Sequence, residues 1–484
     1  MTLAVKSLAE LIDVPAELGS VAISDITLDS RAVAPGAVFV AMPGGESDGR
    51  GFIDDALRAG AAAVLAEADG LAQQHPKVIA VPALRSRCGD IARRGFGDVS
   101  ARMALVAVTG TNGKTSIADI TAQLLRGLGV KTGTIGTLGS RTNTVAATAV
   151  NTTPDVFTLH RTLAAWHAED IDHVVLEASS HALSQERLAG LTLRTGIFTN
   201  LSRDHLDYHE DERAYLAAKL RLFSDYPLQY AIYNADDPMA SEVRTVASCP
   251  TLGISMSSAE ADVFAQFEVL QSGLNITLHA PYGTASAETP LSGTFNAFNV
   301  VAAVMAATTL GYDFEQVMAL LPTLKTVPGR MQRVASPQEL AVVVDYAHTP
   351  EALAVAIEAL RPGCTGELWL VFGCGGDRDR GKRAQMGRIA ATLADRVVVT
   401  SDNPRSEAPE RIIDDILKGI DGPAVVVEDR RGAIMHALGA ARPGDVVLIA
   451  GKGHEDYQES AGVRRPFSDS AVAQEFFAGS AAND

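Results

Sequence analysis

Met103-Ala104-Leu105-Val106-Ala107-Val108, running directly into Thr109-Gly110-Thr111-Asn112-Gly113-Lys114-Thr115, decides how the rest of this 484-residue chain is read. The unbroken apolar run, closed by a Gly-rich turn, reads as a buried strand. Beyond the turn, Ile117, Ile120, Leu124 and Leu125 share one helical face, with Gly127 near its end. A Gly-rich turn between strand and helix aims backbone N–H groups at a phosphate, and the helix dipole adds to the pull. Lys114 would reach the terminal phosphates and the Thr115 hydroxyl would bind Mg²⁺. The spacing is G-x-x-G-K-T, two residues shorter than the usual Walker loop. An ordinary strand-to-helix turn is the plain alternative. The buried strand before it and the amphipathic helix after it favour a nucleotide loop.

Three further segments carry ligand-type side chains. Glu177 ends the apolar strand Val174-Val175-Leu176, where it reads as a metal ligand or as a solvated strand-end acid. The run Thr199-Asn200-Leu201-Ser202-Arg203-Asp204-His205-Leu206-Asp207-Tyr208-His209 crowds His and Asp just after a strand. It suits a metal or phosphate site or a polar loop, and nothing at finger-like spacing suggests zinc. Asp402-Asn403-Pro404-Arg405 follows the strand expected at Arg396–Thr400; by itself Asn-Pro is a turn signal. Lys219, on the helix expected at Glu212–Phe223, reads alone as a solvated helical lysine.

The length fits about three domains. The first hundred residues suggest a small α/β unit, with Ala37–Ala41 as a strand and a helix from Phe52 to Ala63, then a helix and connector over Leu84–Ser100. The middle unit continues with strands at His173–Leu176, Gly196–Thr199 and Tyr230–Tyr233. Antiparallel strands over about 255–290 and a helix at Ala297–Leu310 follow. Pro328-Gly329 marks a linker. Beyond it, strands near 341–345, 367–372, 396–400, 424–428 and 445–450 alternate with helices, the pattern of a doubly wound parallel sheet. The expected boundaries are 1–100, 101–327 and 328–484.

Hydrophobic residues make up 47% and charged residues 20%, enough for ordinary cores. The 58 acidic residues exceed the 41 basic ones, a net charge of −17 that argues against nucleic acid as a partner. The scattered Cys88, Cys249, Cys364 and Cys374 suit a reducing compartment. The start, Met1-Thr2-Leu3-Ala4-Val5-Lys6, has no long apolar leader, and no window reads as a membrane span. A cytoplasmic protein, monomeric, is expected.

Thr109–Thr115, Glu177 with Ser179-Ser180-His181, and Asn200–Asp207 together resemble the Mur ligases of bacterial peptidoglycan synthesis. So do Asn296-Ala297-Phe298-Asn299, Pro328-Gly329-Arg330 and Asp345-Tyr346-Ala347-His348-Thr349-Pro350. The resemblance runs from Asp29-Ser30-Arg31 to Gly451-Lys452-Gly453-His454-Glu455, essentially the whole chain. It implies three domains: a small α/β uridine-nucleotide domain, a central P-loop ATPase-like domain and a Rossmann-like C-terminal domain. Within the family the likeness is to the MurE type, which joins meso-2,6-diaminopimelate to UDP-N-acetylmuramoyl-L-alanyl-D-glutamate with ATP and Mg²⁺.

The roles below are what that resemblance implies. Gly110, Thr111, Asn112, Gly113, Lys114 and Thr115, with Asn296, Asn299, Arg330 and Asp345, would bind ATP. Ser30, Thr152, Thr153, Ser179, Gln185 and Arg187 would hold the UDP-muramoyl peptide. Thr115, Glu177, His205 and Lys219 would serve the metal, Lys219 as a carbamylated lysine (N6-carboxylysine). Lys114, Lys219, His205 and Glu177 would form the catalytic group. Arg378, Asp402, Asn403, Pro404, Arg405, Gly451 and Glu455 would take diaminopimelate. A guanidinium fork at Arg405 would select its extra carboxylate over L-lysine. An L-lysine-adding ligase, a folylpolyglutamate synthetase and a catalytically silent nucleotide-binding protein are the alternatives.

Overall fold

The computed structural model describes residues 3–45, 47–147, 151–205, 207–270, 273–336 and 340–481. Met1, Thr2 and Leu206, quoted above, lie outside the described residues.

At the centre of the molecule lies an eleven-stranded sheet with Ala104–Thr109 in its interior. This strand pairs in parallel with His173–Glu177 on one side and Thr195–Phe198 on the other. Side chains alternate across a strand, so Val106 and Val108 enter one core and Leu105 and Ala107 the opposite one. That double burial is why the run is apolar throughout. Helices Lys114–Gly127 and Phe295–Thr309 cover the first face. Val156–His167, Ser180–Ser184 and Glu212–Ser224 cover the second. The helix from Lys114 stops because Gly129, two residues past Gly127, takes φ 81°, the left-handed conformation that closes a helix C-terminus. Outward from Tyr230–Asn234 and Thr251–Ser255, the sheet ends in the antiparallel strands Val263–Leu270, Gly273–Ala280 and Gly283–Thr289.

Ahead of this sheet, Asp25–Thr27, Ala37–Ala41, Ala63–Glu67 and Val78–Val81 form a four-stranded parallel sheet. The helix expected at Phe52–Ala63 is shorter: it spans Ile53–Arg58, and Ala63 already opens a buried strand. Alanine fits either element, and burial between two layers decides for the strand. The Arg161 guanidinium, on the central helix Val156–His167, donates to Asp25 Oδ1 at 2.9 Å and Ile26 O at 2.6 Å, tying the two sheets' units together.

The third sheet runs Gln332–Val334, Ala341–Asp345, Val446–Ala450, Leu368–Phe372, Arg396–Val399, Val425–Val426, parallel except at its first strand. Helices flank both faces, as the alternation predicts. Asp345, Gly373, Asp402 and Gly451 all stand at or just beyond carboxyl ends of its strands, where doubly wound sheets hold ligands. Among the described residues no helix is long and apolar enough to cross a membrane.

Candidate active site

The phosphate loop is braced from behind by the segment after the neighbouring strand. Asn112 N donates to Asn200 Oδ1 at 3.0 Å, Thr111 N to Asn200 O at 2.9 Å, and Thr199 Oγ1 to Asn112 O at 2.6 Å. Gly110 takes φ 135°, and a Cβ there would sit 1.8 Å from Thr199 Oγ1, so only glycine fits. Lys114 Nζ folds back on the carbonyl oxygens of Gly110 (2.9 Å) and Thr111 (2.8 Å). Thr115 Oγ1 donates to Glu177 Oε2 at 3.0 Å and accepts from Arg330 at 3.1 Å. Glu177, 1% exposed, also accepts from Thr137 N and Thr137 Oγ1.

Lys219 is 1% exposed and so is not a solvated lysine. Its ammonium donates to Gly110 O at 2.8 Å and lies 4.1 Å over the Tyr215 ring. Burial, then the neighbouring Lys114, push its pKa well below that of an ordinary lysine. His205 takes φ 54° and pairs with Asp204 at 3.4 Å. Burial pushes its pKa down to about 3, against the pull of Asp204. His181 packs edge-on to it, with ring centroids 4.8 Å apart.

Two cavities open from this core. One, of about 370 Å³, is lined by Asn112, Gly113, Asn299, Arg330, Asp345 and the apolar Phe295 and Phe298, which suits a nucleobase beside the phosphate loop. The other, of about 230 Å³, lies between the central and C-terminal units. Thr152, Asp204 and His205 form one wall, and Arg378, Asp402, Asn403, Arg405, Gly451 and Glu455 the other. Asn403 Nδ2 donates to Glu455 Oε2 at 2.7 Å, while Lys452 Nζ donates to both residues. Arg405 takes φ 53°, and its only side-chain hydrogen bond among the described residues is to Gly376 O, at 2.7 Å.

With this geometry in view, comparison with known proteins is decisive. Residues 108–307 match the family model "Mur ligase middle domain", residues 329–453 "Mur ligase, glutamate ligase domain", and residues 22–95 "Mur ligase family, catalytic domain". The chain belongs to the Mur ligase family. A relative from Alkalilimnicola ehrlichii, named UDP-N-acetylmuramoyl-L-alanyl-D-glutamate--2,6-diaminopimelate ligase, is 47% identical over 93% of this chain and 94% of its own. One of the same name from Pseudomonas aeruginosa is 44% identical over 93% and 94%. A solved structure of that name superposes with a TM-score of 0.70 at 36% identity, covering 99% of this chain and all of its own. MurF from Thermotoga maritima, solved with ADP, shares the fold at TM-score 0.63 and 20% identity.

In this Mur ligase the sequence-predicted groups divide as follows. Lys114 and Lys219 meet at Gly110, and Thr115 meets Glu177. His205 faces the interdomain cavity and touches neither Glu177 nor Lys219 through a hydrogen bond. Asn299 lines the larger cavity, and its Nδ2 donates to Asn296 Oδ1 at 3.0 Å. Thr153 Oγ1 donates to Glu177 O at 2.6 Å and lies 3.4 Å from Ser179 Oγ. Arg187 donates to Thr153 O and to Gln185, so these four gather beside the metal-type carboxylate. Ser30 stands apart, half-buried in the turn Ser30–Ala32 of the N-terminal unit, and lines neither cavity. Pro404 does not line the interdomain cavity, although its neighbours on both sides do.

Tyr346 and His348, quoted above only within the Asp345–Pro350 segment, and Asp379 and Lys382, to which the sequence assigned no role, also line that cavity. Sequence reading missed the support behind it. Arg383, 1% exposed, donates to both oxygens of Glu407, to Asp415 and to Gly375 O. Glu407 in turn accepts from Asp377 N at 2.7 Å, and Asp377 accepts from Ser406 N and Oγ. The loops carrying Arg378 and Arg405 are thereby bolted into one unit. The only local signal was Gly381-Lys382-Arg383, two cations opening a helix after a Gly-rich strand end.

The metal-type groups present hard oxygen donors, the Thr115 hydroxyl and the Glu177 carboxylate, beside a phosphate loop, which fits Mg²⁺. Among the described residues no group of three or more His, Cys, Asp or Glu side chains forms a metal cage.

Proposed function

We propose that this Mur ligase joins meso-2,6-diaminopimelate to the D-glutamyl γ-carboxylate of UDP-N-acetylmuramoyl-L-alanyl-D-glutamate, converting ATP to ADP and phosphate. The observation that carries the reading is the interdomain cavity, where Arg378 and Arg405 face Asp402 and Glu455 in the space beside His205 and Thr152. A zwitterionic amino acid with a charged group at each end suits paired cations and carboxylates. The names of the relatives support the same substrates.

A carboxylate is a poor electrophile. Its oxygen attacks the γ-phosphorus, the bond to the β,γ-bridging oxygen breaks, and ADP leaves with the electron pair. The diaminopimelate amine then attacks the acyl carbon, phosphate departs with the C–O electrons, and the amine gives up a proton. Lys114 and the loop N–H groups hold the transferring phosphoryl oxygens. Thr115 and Glu177 would hold Mg²⁺, which when bound supplies further charge neutralisation. Lys219, as its carbamate, would add an anionic oxygen there: a neutral amine takes up CO₂ and releases a proton, and burial shifts this lysine toward the neutral amine.

Ser30, Thr152, Thr153, Ser179, Gln185 and Arg187 hold the UDP-muramoyl peptide in this reading, with domains at 1–100, 101–327 and 328–484. The enzyme acts as a cytoplasmic monomer. The test is ADP release with the UDP-muramoyl dipeptide and either amino acid. Turnover with meso-diaminopimelate at least tenfold above L-lysine is expected at about the worth of one buried charged hydrogen bond. Equal turnover overturns the selectivity. Release with a folate polyglutamate acceptor instead overturns the substrate.

A further inference from the structure

Three lysines of the central and C-terminal units are buried, Lys219, Lys382 and Lys452, and Lys114 of the phosphate loop is half-buried. Three of the four are fully engaged. Lys114 and Lys219 donate to loop carbonyl oxygens, and Lys452 donates to Asn403 and Glu455. Lys382 is different. At 7% exposure, its ammonium has no hydrogen bond and no ion pair among the described residues, and it lines the interdomain cavity. A desolvated cation without a partner is costly, and the cost is offset where an anion arrives.

Its position says which anion. Asp204, on the central wall of the cavity, is a charge neighbour of Lys382 as well as of Lys114 and Lys219, and a Cβ on Gly381, the residue before Lys382, would lie 3.1 Å from the Arg203 guanidinium, the residue before Asp204. Lys382 is therefore held beside the Arg203–His205 segment, which follows the strand next to the phosphate loop and braces that loop through Asn200. Arg378 and Arg405 are already available for the carboxylates of the amino acid. Lys382 opens the helix Gly381–Leu393, so the C-terminal unit brings it to the gap.

We propose that Lys382 binds the anionic oxygens of the transferred phosphoryl group, as the C-terminal unit's cation in formation of the acyl phosphate. This rests on the acyl-phosphate ligase reading above. No new bond is made: Lys382 gives hydrogen bonds to phosphoryl oxygens while phosphorus moves from ADP to the glutamyl carboxylate.

The experiment uses the full-length enzyme, K382M and K382R. Without any amino acid, ATP labelled at the β,γ-bridging oxygen is incubated with the UDP-muramoyl dipeptide, and movement of label into the β-nonbridging position reports reversible phosphoryl transfer. Overall kcat and the KM for diaminopimelate are measured in parallel. K382M is expected to slow both label movement and kcat by about 10²-fold, as for loss of one preorganised donor, with KM for diaminopimelate changed by less than about threefold. K382R, which keeps the charge, is expected to lose less. Label movement within about threefold of wild type in K382M overturns the proposal, and so does a loss confined to the KM for diaminopimelate. If K382M does not fold, K382Q, which keeps polarity and loses the charge, takes its place: label movement slowed at least tenfold at an unchanged KM for diaminopimelate supports the proposal, and label movement within about threefold of wild type overturns it. Wild-type enzyme that moves no label refutes the acyl-phosphate reading itself, a result separate from any effect of Lys382.

Discussion

The Lys219 ammonium is hydrogen-bonded at 2.8 Å to the carbonyl oxygen of Gly110, inside the phosphate loop. That oxygen also accepts from Lys114 at 2.9 Å. Two ammonium groups on one acceptor in a desolvated site repel each other, and burial with that repulsion lowers the pKa of Lys219 well below that of an ordinary lysine. Peptide mass mapping of enzyme kept in bicarbonate should find one extra carboxyl group on Lys219 and none on Lys114. K219M should lower kcat by about 10²-fold or more while still binding ATP. Unmodified Lys219 in fully active enzyme would refute the carbamate.

Gly110→Ala tests the close approach of the two loops. Its Cβ would meet Thr199 Oγ1 at 1.8 Å, and the residue needs φ 135°, so both sterics and backbone oppose the change. A loss of about 1–3 kcal/mol and of ATP turnover is expected. Gly363→Ala, where a Cβ meets nothing within 4 Å, should be close to neutral in the same melt.

How far the sequence reaches is clear from these residues. The phosphate loop is legible because a strand, a glycine turn and a helix are contiguous, and their local geometry alone aims the N–H groups. Lys219 is not, because its burial comes from a helix packing on a sheet, which spacing does not record. The role proposed for it comes from resemblance to the family, and the fold adds its burial beside Gly110. Arg383 and Lys382 are adjacent in sequence yet face a buried ion pair and a cavity respectively, a division only the tertiary fold makes. In the N-terminal unit, Ala61-Ala62-Ala63 carries no periodicity, so the end of its helix was invisible.

The pair Arg383–Glu407 should govern amino-acid binding without touching the amino acid. Arg383 holds the Glu407 carboxyl down at about 2, so Glu407 stays charged throughout the working range. Glu407→Gln keeps the shape and loses the charge. It should raise the KM for diaminopimelate by about tenfold while leaving the KM for ATP within about twofold, because the loops of Arg378 and Arg405 loosen together. Arg383→Met removes the buried guanidinium that joins Glu407, Asp415 and Gly375 O, while Arg380 still pairs Glu407 at 3.0 Å, and should cost about 1.5–3 kcal/mol of stability, read by denaturant melts. Equal effects on both KM values would refute a role confined to the amino-acid loops.

Acid should loosen the interface between the central and C-terminal units. His181, His348 and His454 are each pushed to about 4 by burial, against an ordinary value of 6.5. The unfolded chain therefore binds more protons than the folded one between these values, and stability rises with pH there. It is fully present above 6.5 and is lost as pH falls towards 4. Asp345, which burial raises above its ordinary value of 3.8, works in the opposite direction, but it is one carboxyl against three imidazoles. Tm should thus fall steadily as pH drops below 6.5, where the imidazole contribution is complete. His348→Gln removes one imidazole, and Tyr346 O, which His348 Nδ1 meets at 2.8 Å, can still be reached by an amide donor. That variant should be less steep in acid than the wild type; an unchanged slope would show that the imidazoles do not set it.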